Sequence, residues 1–367
     1  MRSWGEPPWS RTEVPVRPLE DSTPEVAIIG GGLTGVSAAY HLARRGVRAV
    51  LLEAGRLGDG ASGRTGGIVL EGTARGILDG ADRCGPALEE LVSEARIGCD
   101  LKLPGCWEIE HQSGADGEML PWKDDGVDIR VARTVVGGTV DPMALLTGLA
   151  RAATEAGAIV HERAEVRRLA AGPHPVLELA GATVRPRAVI VAVNAWTSAL
   201  LPKVRRVRSA LTFACATAPL DDSVIADIGL GPGIPFYTLD VPYLWGRVVR
   251  GGQVIFGAGL SFGAPRQLER LAVDAGEPRE VLAHLEARVR GLHRALREVP
   301  ITHRWAGPIA IPQDMAPLVG RLPGAPALLI AGGYSGHGVA LSVWMGRLLA
   351  CAISDGEPLP PWGRVSA

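Results

Sequence analysis

The sequence predicts an α/β protein, α+β overall, in which a lobe built on a parallel sheet carries an inserted lobe of mixed or antiparallel strands. Three observations predict it. Residues 26–29 are a short β-branched apolar run, apolar positions then recur at helical spacing from Leu33 to Gly46, and a second apolar run fills 49–52. Residues 188–193 are continuously apolar, as in a parallel strand buried on both faces. Residues 205–262 alternate in the manner of antiparallel strands. At 367 residues the chain exceeds what one core usually holds, so two lobes are expected. The division read from the pattern is an N-terminal arm over 1–23, a first lobe from 24–76, 140–210 and 300–358, and a second from 77–139 and 211–299.

The first unit, Val26-Ala-Ile-Ile-Gly30-Gly31-Gly32-Leu33-Thr34-Gly35 closed by Leu51-Leu52-Glu53-Ala54, reads as strand, tight turn, helix, strand. That is a Rossmann-like dinucleotide-binding unit. Gly30 permits the sharp turn, Gly32 lets a pyrophosphate approach the backbone, and Gly35 lets the helix lie close on the sheet. The amides of the helix N-terminus face the phosphates. Glu53 is placed to accept bonds from the ribose hydroxyls and would repel a 2′-phosphate, which disfavours NADP. Three glycines in a chain with 48 are weak evidence by themselves; the flanking strand and helix and the spaced acid supply the context.

Composition excludes other classes. A net charge of −1 draws the chain neither to nucleic acid nor to an anionic membrane. The five cysteines include no CxxC pair, which argues against a disulfide framework or a zinc site and for buried, reduced thiols. The N-terminus has no apolar core of a secretory signal, and the longest apolar run, around 188–201, is interrupted by Asn194 and too short to span a membrane. The expected location is cytoplasmic.

A second glycine-dense loop, Gly58 to Gly67, follows the acid directly. It reads as a flexible connector or as a cradle for a cofactor extending past its pyrophosphate. In the second case Ala61, Ser62, Arg64, Gly66, Gly67 and Ile68 approach it, with Ser62 and Arg64 reaching its oxygens. Residues 86–97 suggest a helix and 105–111 a strand. Asp141-Pro142 opens a helix that ends at Gly157. Short strands follow at 158–162, 165–169, 176–179 and 182–185. The run 188–193 then delivers Asn194-Ala195-Trp196 to the carboxyl edge of the sheet, where ligands of such folds bind. A helix over 279–299 carries His284 and His293 on opposite sides, so they cannot share a metal. Near the end, a strand at 327–331, the loop Gly332-Gly333-Tyr334-Ser335-Gly336-His337-Gly338 and an apolar helix from Val339 return to the first lobe. That helix aims partial positive charge at whatever the loop holds.

Three such loops in this order resemble the FAD-dependent amine and amino-acid oxidases with the D-amino-acid-oxidase-like fold, among them sarcosine oxidase, glycine oxidase and γ-glutamylputrescine oxidase. The resemblance is carried by Ile28 to Gly35, Gly60 to Gly67, Arg304-Trp-Ala-Gly307 with Asp314-Met-Ala-Pro317-Leu-Val-Gly320, and Gly332 to Val339, and it is weakest over 76–135. It implies FAD, with Val166, Asn194, Ala195, Trp196, Gly333, Gly336, Gly338 and Val339 joining the residues already named, and because the segment resembling the attachment region, 307–320, has no cysteine and 60–67 no histidine, the FAD is expected to be non-covalent. It also implies oxidation of a C–N bond by hydride transfer to flavin N5, hydrolysis of the imine, and reduction of oxygen to hydrogen peroxide.

Two departures qualify this. Where family members that take small amino acids carry a carboxylate-binding arginine, this chain has Pro308-Ile309, with Arg321 the nearest substitute. Where sarcosine oxidases carry a lysine that promotes oxygen reduction, on a strand resembling 254–257, there is none. The first moves weight towards amines, or towards a carboxylate held elsewhere. The second favours an amine dehydrogenase with another electron acceptor. A shortened 76–135 leaves open a non-catalytic flavoprotein subunit. Candidate substrate contacts are Tyr243, Trp245, Trp305, Tyr334 and His337; Tyr243 and Trp245 read equally as strand core.

Overall fold

A computed structural model describes residues 3–111, 119–204, 207–363 and 365. Strand Val26–Ile29 pairs in parallel with both Ala49–Leu52 and Ala188–Val191, because all four of its residues are apolar and both faces can be covered. The sheet extends to six strands through Ile159–His161 on one side and Ala325–Gly332 on the other, with Leu318–Leu322 antiparallel at the edge. Helices Leu33–Arg44 and Gly338–Ser354 cross closely on one face. A Cβ on Gly346 would come 2.5 Å from the Thr34 carbonyl oxygen, and Ser37 Oγ donates to the Val343 carbonyl at 2.6 Å. Helix Pro142–Glu155 packs beside them, started by Asp141, whose carboxylate accepts from the Met143 and Ala144 amides.

The second sheet has eight strands in the order Ile301–Pro312, Val207–Thr217, Val254–Phe262, Trp245–Val248, Phe236–Thr238, Cys106–His111, Val127–Val135 and Met119–Asp124. Pairing is antiparallel except between 236–238 and 106–111. Helix Gly276–Leu292 covers one face, burying Leu282, Leu285, Val289 and Leu292 against Phe213 and Phe256. Each such side chain contributes roughly 1.5–3 kcal/mol when fully buried. The opposite face looks towards the ends of the first sheet. The arm crosses both: Trp4 is fully buried, and Trp9 Nε1 donates to the Gly63 carbonyl at 2.8 Å.

Three sequence expectations need correction. The helix expected over 279–299 stops at Leu292, because His293 is extended and its Nδ1 accepts the Ala295 amide, starting a separate turn at Arg294–Leu296. Residues 301–312, assigned with 300–358 to the first lobe, are instead the edge strand of the second sheet, where Pro308 is tolerated. They pair with a strand that begins at Val207, inside the segment 140–210 also given to the first lobe. Finally, 77–139, assigned whole to the second lobe, is divided: it supplies three strands of the second sheet, two of them joined by a tight turn at Asp125-Gly126, but its helix Cys84–Glu94 packs on Gly338–Ser354 of the first lobe. All five cysteines are buried and unpaired, and among the described residues no helix is long and apolar enough to cross a membrane.

Candidate active site

The carboxyl ends of the parallel strands and the free face of the second sheet enclose a cavity of about 1470 Å³. The first glycine loop forms its floor. Gly30 turns with φ +107°, and a Cβ there would stand 2.5 Å from the Ala192 carbonyl oxygen. Gly35 is packing rather than lining: a Cβ would stand 2.0 Å from the Gly30 carbonyl oxygen, and the residue does not reach the cavity. Gly32 lines the cavity with Leu33 and Thr34. A Cβ on it would meet nothing but Ser62, whose Oγ at 3.0 Å accepts the Leu33 amide. Gly32 brings no capping side chain of its own, so beyond the Leu33 amide held by Ser62 the start of the helix is left towards the cavity at Thr34. Glu53 accepts the Gly31 amide at 2.7 Å through one oxygen and the Gly55 amide at 2.8 Å through the other, and stands at the wall with Ala54 and Val166.

The second loop brings Ala61, Ser62, Gly66 and Ile68 to the cavity. Arg64 is also at the wall, but its guanidinium is directed away from a ligand. Its nitrogens donate to the carbonyls of Gly5 at 2.7 Å and of Trp4, Asp59 and Ala306 at 3.2–3.3 Å, clamping the arm to the loop. Gly67 does not line the cavity; its Cβ position is filled by the Val140 carbonyl and by Arg247. Arg247, not anticipated from sequence, is buried, donates to the Gly66 and Val140 carbonyls, and has its pKa drawn down to about 10 by burial.

The third loop closes the other side. Asn194, at φ +44°, accepts the Gly333 amide at 2.9 Å, which joins the end of strand Ala188–Val191 to this loop; Gly333 and Ala195 lie behind the wall. Trp196 lines it and donates from Nε1 to Glu269 at 2.8 Å. Tyr334, Gly336, His337, Gly338 and Val339 all line it. The Tyr334 hydroxyl shares a 2.6 Å bond with Thr34 Oγ1, and burial raises its pKa, so it stays protonated. Burial likewise lowers the pKa of His337, leaving a neutral ring unsuited to act as a strong acid. Ser335 Oγ and His337 Nδ1 are buried without a partner in the protein. Helix Gly338–Ser354 starts at His337 with no side-chain cap.

Trp245 of the second sheet and Tyr243, just before its strand, both line the cavity. Tyr243 bonds Thr212 Oγ1 and the Gly259 carbonyl, both at 3.0 Å. The Trp245 ring lies over bare backbone: a Cβ on Gly66 or Gly257 would come within 2.2 and 2.0 Å of it. Trp305 is not in the cavity. It follows the parity of the lining residues Gly307 and Ile309, but Trp9 and the Arg64 loop cover it, and its indole donates to the Arg64 carbonyl at 2.9 Å. Arg321 is also remote, tied to the Pro326 and Ala352 carbonyls. Sequence reasoning missed Glu108, Arg133 and Tyr237, which line the cavity together. The alternation of residues 105–111 was visible, but only strand register joins the three.

Glycine turns at the ends of three parallel-strand segments, converging on one elongated cavity, define a dinucleotide-binding protein of two lobes. A family model described as DAO, FAD dependent oxidoreductase, matches residues 25–352, and the chain belongs to that family. It is 28% identical to "Probable oxidoreductase OrdL" of Rhizobium meliloti (strain 1021), over 93% of this chain and 87% of that one. It is 28% identical to "Gamma-glutamylputrescine oxidoreductase" of Escherichia coli (strain K12), over 90% and 84%. Among solved structures it resembles glycine oxidase from Geobacillus kaustophilus, with a TM-score of 0.75 at 20% identity over 94% of this chain and 98% of that one. L-proline dehydrogenase from P. horikoshii gives 0.74 at 20% identity over 94% and 96%. The protein is thus an FAD-dependent oxidoreductase, and the cavity fits FAD: the start of helix Leu33–Arg44 lines it beside Gly32, where a Cβ would meet only Ser62, and the unpartnered Ser335 Oγ and His337 Nδ1 lie in the opposite loop.

Proposed function

We propose that this oxidoreductase oxidises a C–N single bond of an amine or amino acid. FAD, when bound, supplies the acceptor for the hydrogen and electron pair of the C–H bond, so that C–N becomes C=N, water releases the carbonyl product, and oxygen or another acceptor takes the electrons. The first loop, Glu53, Ser62, Asn194 and the third loop would hold the cofactor without a covalent bond; residues 307–320 contain no cysteine and 60–67 no histidine. The observation that carries this reading is the wall between the second and third loops. There Tyr243, Trp245, Gly307, Pro308, Ile309 and Tyr334 present aromatic and apolar surface and no ionised side chain. Such a wall disfavours an ammonium and favours the neutral amine, the form whose carbon can give up hydride.

An anaerobic screen of amines and amino acids for bleaching of the flavin absorbance tests this reading. Reduction by at least one class is expected; none by any member would refute it. A dehydrogenase is the second reading, because residues 254–257 carry no lysine and the Trp245 ring occupies the space over Gly257. Peroxide formed in air during turnover, or its absence, separates the two. Against the non-catalytic reading stands the contribution of Ile77, Glu108 and 133–136, all within 77–139, to the cavity lining.

A further inference from the structure

One row of side chains on the second sheet extends beyond the apolar wall. Register sets Trp245 opposite Tyr237, Tyr237 opposite Glu108, and Glu108 opposite Arg133, on four neighbouring strands. Opposed residues on adjacent strands share a face, and strands lie about 4.8 Å apart. Glu108 therefore stands roughly 10 Å, and Arg133 roughly 14 Å, from Trp245 across the sheet. All four line the cavity. Glu108 is only 5% exposed; one of its oxygens accepts the Tyr237 hydroxyl and the other Arg133 Nε. Burial opposes its charge, but the bonds from Arg133 and Tyr237 outweigh it and hold the carboxyl below its ordinary range. With Nε committed to Glu108, the two terminal nitrogens of Arg133 make no hydrogen bond among the described residues, on a side chain that is 69% exposed.

A guanidinium with a fixed stem and an open fork is matched in geometry to a carboxylate. The other arginines lining the cavity are differently placed. Arg64 is spent on carbonyls, and Arg167 and Arg266 lie on segments outside the strands of the second sheet. We infer that Arg133, positioned by Glu108 and Tyr237, is the subsite for a carboxylate at the far end of the substrate. The substrate is then an elongated amine with an anionic group remote from the oxidised carbon. This rests on the C–N oxidation proposed above and replaces the grip that Pro308-Ile309 does not provide beside the reacting centre.

The test uses the FAD-loaded protein without oxygen, titrated with ω-amino acids of roughly four to eight carbons, their amides and the matching diamines, and read as difference spectra of the flavin. A charge-assisted bond predicts that the longer acids bind roughly tenfold or more tightly than their amides. Arg133→Gln should abolish that preference while FAD content and amide affinity are retained. Arg133→Lys should restore part of it, and Glu108→Gln should weaken it less than Arg133→Gln. Equal binding of acid and amide, a preference for the diamine, parallel loss of acid and amide affinity in Arg133→Gln, or no spectral response to any acid would each overturn the inference. Flavin reduction by simple amines with no acid preference would sink only this subsite. Acid-selective spectra without reduction by any amine would keep the subsite and sink the proposed chemistry.

Discussion

Two glycines of the first loop, three residues apart, should respond oppositely to the same methyl group. At Gly35 an added Cβ would lie 2.0 Å from the backbone oxygen of Gly30, about 1 Å inside the closest approach real Cβ atoms make, and neither strand nor helix can yield without moving the sheet. Overpacking of that kind costs about 1–3 kcal/mol or more, and Gly35→Ala should lower apoprotein stability accordingly. At Gly32 the backbone is extended, with φ −81°, and the nearest atom is the rotatable Ser62 Oγ at 3.0 Å. Gly32→Ala should therefore cost the apoprotein about 1 kcal/mol or less. Its methyl, however, projects into the cavity where the proposed pyrophosphate site lies, so FAD affinity should fall by about two orders of magnitude. Cofactor at a hundred times its dissociation constant adds about 2.7 kcal/mol to stability. With unfolding entropy near 2.1 cal/mol/K per residue, this chain should gain about 3–4 °C in Tm. The assay is thermal unfolding of apoprotein with and without added FAD, alongside a fluorescence titration. Gly32→Ala should melt near the wild-type apoprotein and lose the FAD-dependent rise. A Gly32→Ala protein that binds FAD normally, or a Gly35→Ala apoprotein as stable as wild type, would refute this division of roles.

Acid precipitation of the holoprotein should leave yellow FAD in the supernatant, and a coloured pellet would show a covalent bond. Trp305→Ala should cost about 3–5 kcal/mol through the lost packing under the Arg64 loop, and Trp305→Phe, which removes the indole bond to the Arg64 carbonyl, should lower Tm with KM little changed. His111 lies between Asp240 at 2.9 Å and Asp124 at 2.7 Å, and Asp124 is also bound by Arg288. Burial works against the imidazolium, but the two carboxylates outweigh it and raise its pKa above 6.5. That stabilisation is fully present below pH 6.5 and is lost as pH rises through the higher folded value. The Tm difference between wild type and His111→Asn should therefore shrink from pH 6 to pH 9; a constant difference would assign the effect to packing.

Local physics made the first lobe readable. Glycine spacing, a β-branched strand, the Asp141-Pro142 start and the apolar final helix are near-neighbour properties, and they appear where the pattern put them. The second sheet was less legible because its strands pair over long separations and with bulges, as between Thr212 and Phe213. A hydrophobic pattern reports a face, not a partner. Residue type was likewise ambiguous: Arg64 and Trp305 carry groups that could serve a ligand, yet the arm and strand Ile301–Pro312 cover them with carbonyls and rings from distant segments. Arg133 and Glu108 became a unit only through register across neighbouring strands. The sequence by itself determined that this chain folds around a dinucleotide, since that requirement is written in adjacent residues. Which charged side chains are left to meet a substrate was decided by tertiary structure alone, because a hydrogen-bonding group serves whichever partner the fold brings within about 3 Å.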